Sequence, residues 1–189
     1  MALISLVALF VTSVVLVLPL RWINPATTAF MIADERDLDE IRFEWVAWND
    51  ISESLALAAI AAEDQRFFDH AGIDFASIKK SVEDARRRGA GLRGASTITQ
   101  QVAKNLYLWR GRSFVRKGIE AYLALLIDLT WPKQRILEVY LNIAEFGPGI
   151  YGVGAASDIF FGKSARTVSD AEAARLAAVL PNPIRLNAG

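Results

Sequence analysis

Two adjacent carboxylates, Glu63 and Asp64, stand at the end of an alanine-rich apolar run, residues 55–62, that predicts a helix. Burial raises the pKa of a carboxyl group, so a carboxylate at the rim of an apolar helix suits a general base or acid. The alternative is an ordinary solvated last turn. His70, ahead of Gly72, is better explained as a structural histidine that is hydrogen-bonded in a turn.

A loop rich in glycine and hydroxyl groups, residues 93–97, leads into a predicted helix that carries Gln100, Gln101 and Lys104. The free backbone amides at a helix N-terminus favour a phosphate. Lys104, two turns further on, adds a positive charge. The alternative is a Ser/Thr helix cap followed by a polar helix face.

A basic cluster follows, and it contains one carboxylate. Arg110, Arg112, Arg116 and Lys117 precede Glu120. Arg116 and Glu120 are four residues apart, so they share one face of a helix. The cluster is interpreted either as a surface ion pair contributing about 0.5 kcal/mol or less, or as an anion site with a carboxylate inside it.

Residues 133–156 are better explained by packing than by chemistry. Their apolar residues recur with the spacing of a buried helix face, and the glycines after them allow tight turns. Tyr140 belongs to that face. Glu138 and Asn142 are predicted to brace the glycine-containing loop by hydrogen bonds.

Helices must position these groups, and helix signals follow one another along the chain. Asp50 begins a capping-box pattern with Glu53, and Ser169 begins another with Glu172. The predicted helices span residues 50–62, 74–88, 97–106, 114–129, 132–145 and 169–180. Strand-like alternation is nearly absent, so the predicted fold class is mostly α.

Composition excludes several classes of protein. The 189 residues include 21 Lys and Arg, 21 Asp and Glu, one His and no Cys. The lack of Cys excludes disulfides, Cys-type zinc sites and a Cys nucleophile, and a single His excludes a multi-His metal site. A neutral total argues against a polybasic nucleic-acid binder.

The zero net charge hides an uneven distribution. Residues 1–78 hold 4 basic and 12 acidic side chains, a net charge of −8. Residues 79–117 hold 11 basic and 2 acidic, a net of +9, and residues 118–189 hold 6 and 7. This asymmetry predicts that the middle third meets an anion.

The first 20 residues carry no charged side chain. About 20 apolar residues at ~1.5 Å each span a bilayer core of ~30 Å. A cleaved signal peptide is the alternative, but the run exceeds its usual ~7–15 apolar residues and lacks an Ala-x-Ala site. We therefore expect an uncleaved transmembrane anchor over residues 1–22, a connecting segment over 23–50 and a globular domain over 51–189.

Taken together, these stretches resemble glycosyltransferase family 51, the peptidoglycan glycosyltransferases that polymerise lipid II. Four family motifs occur in order along the chain. The first matches at Glu63, Asp64, Phe67, His70 and Gly72, and the second at Gly94, Ser96, Thr97, Ile98, Gln100, Gln101, Lys104 and Asn105. The third matches at Arg116, Lys117 and Glu120, and the fourth at Lys133, Ile136, Leu137, Glu138, Tyr140, Leu141 and Asn142. The match covers about residues 55–185. Phe160 departs from the family, which usually has Tyr there.

The resemblance implies a lysozyme-like fold with two lobes and one N-terminal transmembrane helix, residues 51–189 being the glycosyltransferase domain. It implies that Glu63 is the general base and that Glu120 supports the leaving diphosphate. The positive charges implied to neutralise that diphosphate belong to Lys104, Arg112, Arg116, Lys117 and Arg66. Ser96, Thr97, Gln100 and Gln101 are implied to line the donor cleft.

The implied partners are lipid II, the growing glycan chain, the cytoplasmic membrane and other cell-wall synthesis proteins, with no nucleic acid. The implied location is the bacterial inner membrane, with a single span and a periplasmic catalytic domain. The sequence requires no cofactor and identifies no metal ligands, although Mg²⁺ or another divalent cation at the diphosphate is compatible with the resemblance. Two alternatives stay open: a lytic transglycosylase or muramidase of similar fold, against which the basic middle third argues, and a non-catalytic anchored scaffold.

Overall fold

A computed structural model describes residues 1–36, 40–89, 96–111 and 113–189. Most of these residues are helical, which confirms the predicted fold class. The helices are α1 (Ala2–Val17), α2 (Ala29–Ile32), α3 (Glu53–Glu63), α4 (Phe75–Arg88), α5 (Ile98–Tyr107), α6 (Phe114–Thr130), α7 (Lys133–Ile143), α8 (Gly152–Phe161) and α9 (Asp170–Val179).

Local capping explains most of the helix ends. Thr97 with Gln100, and Ser169 with Glu172, form complete capping boxes. The prediction that Asp50 caps α3 was wrong. Asp50 lies in a 3₁₀ turn, and Ser52 is the cap, since its hydroxyl accepts the Ser54 amide hydrogen bond at 3.3 Å.

The core forms where α5 packs against α6 and α7, and α3 packs against α9. Its largest fully buried side chains include Tyr140 and Ile136, from the segment predicted to pack, and Phe67, which was not predicted to do so. Full burial of an aliphatic side chain of this size contributes about 1.5–3 kcal/mol. The helices that carry the motif residues are therefore fixed by the core itself.

A small sheet was not predicted from the sequence. β1 (Arg42–Phe43) pairs in parallel with β3 (Ile150–Tyr151), and β2 (Glu145–Gly147) pairs antiparallel with β3. Strands of two or three residues are too short to show alternation. The sheet also explains why α7 ends at Ile143, earlier than predicted: Glu145 already belongs to β2.

One helix in the described part of the chain, residues Leu3–Arg21, is long and apolar enough to cross a membrane, with a mean hydropathy of 2.7. Its end is fastened to the domain. The Trp131 indole donates to the Val17 carbonyl at 3.1 Å, and the Ser13 and Tyr122 hydroxyls are 2.7 Å apart. The N-terminal apolar helix is therefore joined directly to α6 and to Trp131, the residue that follows it.

Candidate active site

Glu63 is the last residue of α3, and its half-buried side chain lines a cleft of about 520 Å³. We call this cleft, lined also by Asp64, Arg66, Asp74, Lys80 and Ser96, the Glu63 cleft. The Gln101 side-chain amide of α5 donates to the Glu63 carboxylate at 2.5 Å. The other Glu63 oxygen has no hydrogen-bond partner among the described residues, so it is available to a ligand in the cleft.

The neighbouring carboxylate, Asp64, has a structural use. Its side chain is only 4% exposed and accepts hydrogen bonds from His70 Nε2 at 2.9 Å and from the Ile98 amide at 3.0 Å. The second contact ties the end of α3 to the start of α5. The hydrogen bonds of Asp64 therefore fix the backbone beside Glu63, and the Glu63 carboxylate is not needed for that structural role.

The N-terminus of α5 is occupied by its own capping groups. The Thr97 hydroxyl donates to the Gly72 carbonyl at 2.6 Å and accepts from the Gln100 amide, while the Gln100 side chain accepts from the Thr97 amide. Thr97 still borders the Glu63 cleft. Gln100 is buried and lines neither described cleft, so its side chain serves the helix cap.

Glu120 is a second carboxylate with the opposite environment. It is 3% exposed and is paired on one oxygen with Arg116, at 3.0 Å, and on the other with Lys117. The Lys117 ammonium also donates to the Ser96 hydroxyl at 2.8 Å, and Ser96 borders the Glu63 cleft. Both oxygens of Glu120 are therefore neutralised by cations.

Lys104 is the cation without an anionic partner in this group. Among the described residues its ammonium has no ion pair or hydrogen bond. Burial holds the pKa of Lys104 below its usual value of 10.5; Arg116 and Lys117 add to this lowering, and Glu120 and Glu63 oppose it. A desolvated ammonium with no anion beside it attracts an anionic ligand.

A second cleft, of about 360 Å³, lies on the other side of Gln101. We call it the Lys104 cleft. Its walls come from motif residues, from the small sheet and from the C-terminal segment, and include Gln101, Lys104, Asn105, Arg116, Tyr140, Glu145, Tyr151 and residues 181–184. The Glu63–Gln101 hydrogen bond joins a residue that lines the Glu63 cleft to one that lines the Lys104 cleft.

Residues that line the Lys104 cleft carry buried polar atoms without a hydrogen bond in the described chain. They are Asn105 Oδ1, Arg116 Nε and Glu145 Oε1, of which Glu145 Oε1 lies 3.9 Å from Arg36 in an ion pair. A buried polar atom that stays unpaired costs about 1–3 kcal/mol. The unpaired atoms of Asn105 and Arg116 favour a polar ligand beside them.

The remaining predicted residues have defined places. Arg66 borders the Glu63 cleft and lies 3.6 Å from Asp74. Glu138 accepts from the Trp48 amide at 3.0 Å, and Asn142 accepts from the Val46 amide at 2.7 Å. These two side chains thus brace the connecting segment rather than the glycine-containing loop. Gly94 and Arg112 lie outside the described residues.

Sequence reasoning did not select several residues of the Lys104 cleft, including Phe30, Glu145 and Tyr151. Burial raises the pKa of Glu145, while Asp34 raises it further and Arg110 and Arg36 lower it. The sequence held only weak signals for these residues. Glu145 is an isolated glutamate near the end of a predicted helix, and Phe30 is an aromatic residue in a segment without periodicity.

The geometry does not indicate a protein-held metal ion. Within residues 1–36, 40–89, 96–111 and 113–189, no group of three or more His, Asp and Glu side chains is placed to hold one. Glu120, the carboxylate predicted to lie by the diphosphate, already has cations on both oxygens. These residues do not fit a divalent cation.

A protein-family model described as transglycosylase matches residues 31–188. The chain belongs to the transglycosylase family. The match includes every candidate residue of both clefts except Phe30, which lies one residue before it. It also includes the connecting segment from residue 31, so the predicted boundary at residue 51 does not coincide with the limit of the family model.

Named relatives agree with this transglycosylase assignment. The chain is 55% identical over 183 residues to a protein of Shewanella amazonensis, an alignment covering 94% of the chain and 74% of the relative. It is 51% identical over 189 residues to one of Stutzerimonas stutzeri, covering 96% and 77%. A third, from Haemophilus influenzae, is 55% identical over 145 residues, covering 77% and 59%. All three are named biosynthetic peptidoglycan transglycosylase.

Proposed function

We propose that this transglycosylase polymerises peptidoglycan glycan strands from lipid II and releases undecaprenyl diphosphate. The observation that carries the proposal is the contrast between two carboxylates. Glu63 has an oxygen open to a cleft, whereas Glu120 is buried with a cation on each oxygen. Two carboxylates in opposite environments suit two different roles.

In this proposal Glu63 is the general base. It takes the proton of the acceptor sugar's 4-hydroxyl, whose oxygen attacks the anomeric carbon of the donor. The new C–O bond forms as the bond from that carbon to the diphosphate oxygen breaks, with inversion and without a covalent enzyme intermediate. The Gln101 hydrogen bond orients the Glu63 carboxylate toward this proton.

The leaving diphosphate gains negative charge as its bond breaks, and the cations of α5 and α6 stabilise that charge. Lys104 is the group that contacts it directly, because Arg116 and Lys117 are held by Glu120. We assign Glu120 a positioning role: it fixes the two cations before substrate arrives. Arg112 is a further proposed diphosphate ligand. No metal ion is part of this mechanism.

The anchor suits a lipid-linked substrate. We propose that residues 1–22 cross the bacterial inner membrane once and that the catalytic domain lies on the periplasmic side, where peptidoglycan is assembled. We also propose a lysozyme-like division into a large lobe and a smaller membrane-proximal lobe containing α4. Every residue of α4 is described and none is buried, which supports a peripheral position for this helix.

The test is a lipid II polymerisation assay with the full chain in detergent micelles, comparing wild type, Glu63→Gln and Gln134→Leu. Gln134 is exposed on α7 and borders neither described cleft. General base catalysis contributes about 10²–10⁴-fold, so Glu63→Gln should lose at least about 100-fold in rate without a change in melting temperature. The control should match wild type.

Three results would count against the proposal. Cleavage of preformed glycan with no new polymer from lipid II would indicate a lytic enzyme. Near-wild-type polymerisation by Glu63→Gln would show that the base is another residue. A complete lack of both reactions in wild type would favour the anchored scaffold.

A further inference from the structure

The connecting segment places an aromatic ring beside two cations of the Lys104 cleft. Phe30 of α2 has its ring centroid 5.2 Å from Lys104 Nζ and 5.1 Å from Arg110 Cζ. All three residues line that cleft. Cations within about 6 Å of an aromatic centroid are attracted by the ring's negative face.

The two cations differ in their other contacts. Arg110 donates to the Tyr151 hydroxyl at 2.8 Å and lies 3.5 Å from Glu145. Lys104 has no hydrogen bond or ion pair within the described residues. Its ammonium lies over the Phe30 ring, and the Glu120 and Glu63 carboxylates attract it only from beyond ion-pair distance. The contact with the ring therefore helps to set the position of this flexible side chain.

The backbone around Phe30 is held on both sides. Before it, the buried Thr28 hydroxyl accepts from the Met31 amide at 3.1 Å, and the Met31 side chain is 4% exposed. After it, the Asp34 carboxylate accepts from the Tyr151 hydroxyl at 2.6 Å and lies 3.6 Å from Arg110. The ring is therefore presented to the cleft by a fixed segment.

We propose that Phe30 is a positioning residue that holds Lys104 and Arg110 side by side for the substrate diphosphate. The inference rests on the proposed polymerase function. It adds a residue that belongs to none of the four motifs and lies outside the family-model match.

Two cations side by side repel each other, and the ring offsets part of that repulsion by attracting both. Its apolar surface also keeps water away from the Lys104 ammonium. The attraction is moderate at a partly exposed site, about 2- to 30-fold in a binding constant. Loss of the ring should consequently weaken diphosphate binding and leave the chemical step intact.

The experiment compares Phe30→Leu and Phe30→Tyr in the full chain, each made in the wild-type and the Lys104→Ala backgrounds. Leucine keeps an apolar side chain without an aromatic face, and tyrosine keeps the face. Phe161→Leu is the matched control, because Phe161 has the same type of contact with Arg175, at 5.1 Å, and lines neither cleft. The measurements are kcat and KM for lipid II and, by calorimetry, the Kd of farnesyl diphosphate.

Phe30→Leu is expected to raise KM and Kd about fivefold with kcat within twofold of wild type. Phe30→Tyr should restore both constants, and Phe161→Leu should change neither. In the Lys104→Ala background the effect of Phe30→Leu should be smaller than in wild type, because only the contact with Arg110 remains.

An unchanged KM and Kd for Phe30→Leu, or a fivefold effect that persists without Lys104, would overturn the inference. Phe30→Met replaces the leucine variant if that variant melts at a lower temperature than wild type. Wild type without polymerase activity would reject the proposed function, and the farnesyl diphosphate measurement would still decide the role of Phe30.

Discussion

Gln101 of α5 donates a hydrogen bond to Glu63 of α3 at 2.5 Å, and this contact joins a residue that lines the Lys104 cleft to one that lines the Glu63 cleft. The Tyr140 hydroxyl lies 3.5 Å from the other end of the Gln101 amide. Tyr140 therefore contacts the oxygen of the Gln101 side chain, and the nitrogen of the same side chain orients the Glu63 carboxylate. The proposed base owes its orientation to a residue of a different motif.

Gln101→Leu should lower kcat for lipid II polymerisation about tenfold and leave KM within twofold, because small misplacement of a catalytic group slows the chemical step. Gln134→Leu controls for the substitution itself on an exposed helix face. Steady-state kinetics with both variants provide the measurement. A wild-type kcat in Gln101→Leu would show that the hydrogen bond does not orient the base.

Lys104→Ala should raise KM for lipid II about tenfold, since it removes a charge-assisted contact to the diphosphate. Lys79→Ala, an exposed lysine on α4 that lines neither cleft, should have no effect. An unchanged KM for Lys104→Ala would exclude Lys104 from the anion site.

The same residue predicts a pH dependence. Burial lowers the pKa of Lys104 below 10.5, so its charge is lost as the pH rises through that lowered value, and binding weakens on the alkaline side. Arginine stays charged throughout this range. Lys104→Arg should therefore move the alkaline limb of kcat/KM to higher pH. Coincident limbs in the two enzymes would contradict this.

Local sequence predicted six helices, α3 to α7 and α9, because caps and apolar periodicity act over one or two turns. Ser169 illustrates this, since it forms the predicted capping box with Glu172. The family motifs also identified Glu63, Gln101 and Lys104 as candidate site residues. Each of these residues lines one of the two clefts.

Contacts between segments that are far apart along the chain could not be predicted from local sequence. Phe30 meets Lys104, and Glu138 meets the Trp48 amide, across long stretches of chain with no shared period. Residues 23–50 were therefore predicted to be a loose connection, although they form α2 and β1 and place Phe30 in the Lys104 cleft. The short strands were not predicted either, because two residues cannot show an alternation of apolar and polar side chains.

Gly72→Ala should destabilise the domain by about 3 kcal/mol. Gly72 has φ +77°, and a Cβ there would lie 2.7 Å from the Ala124 carbonyl oxygen of α6. Gly89 has φ +61°, and no described atom outside its own neighbours lies within 4 Å of a Cβ placed there, so Gly89→Ala should cost only about 1 kcal/mol. Chemical denaturation in detergent micelles measures both, and equal losses would show that the close approach to Ala124 is relaxed.

Arg135 joins the end of the N-terminal apolar helix to the domain. Its guanidinium donates to the Leu20 carbonyl at 3.0 Å, through Nε and Nη2, and to the Ile23 carbonyl at 2.9 Å, and it is paired with Glu138 at 2.8 Å. A lysine keeps the charge but cannot reproduce this planar fork. The residue is 7% exposed, so the carbonyls it serves would be left without a donor.

Arg135→Lys is therefore expected to lower the free energy of unfolding by about 2 kcal/mol and to speed tryptic cleavage after Arg21, whose side chain donates to the Thr130 carbonyl at 2.7 Å in the same joint. Arg166→Lys is the matched control: that side chain is 70% exposed in an ion pair with Asp50, and such pairs contribute about 0–1 kcal/mol. If both variants unfold alike and Arg21 is cleaved at the wild-type rate, the N-terminal apolar helix is not fixed to the domain through Arg135.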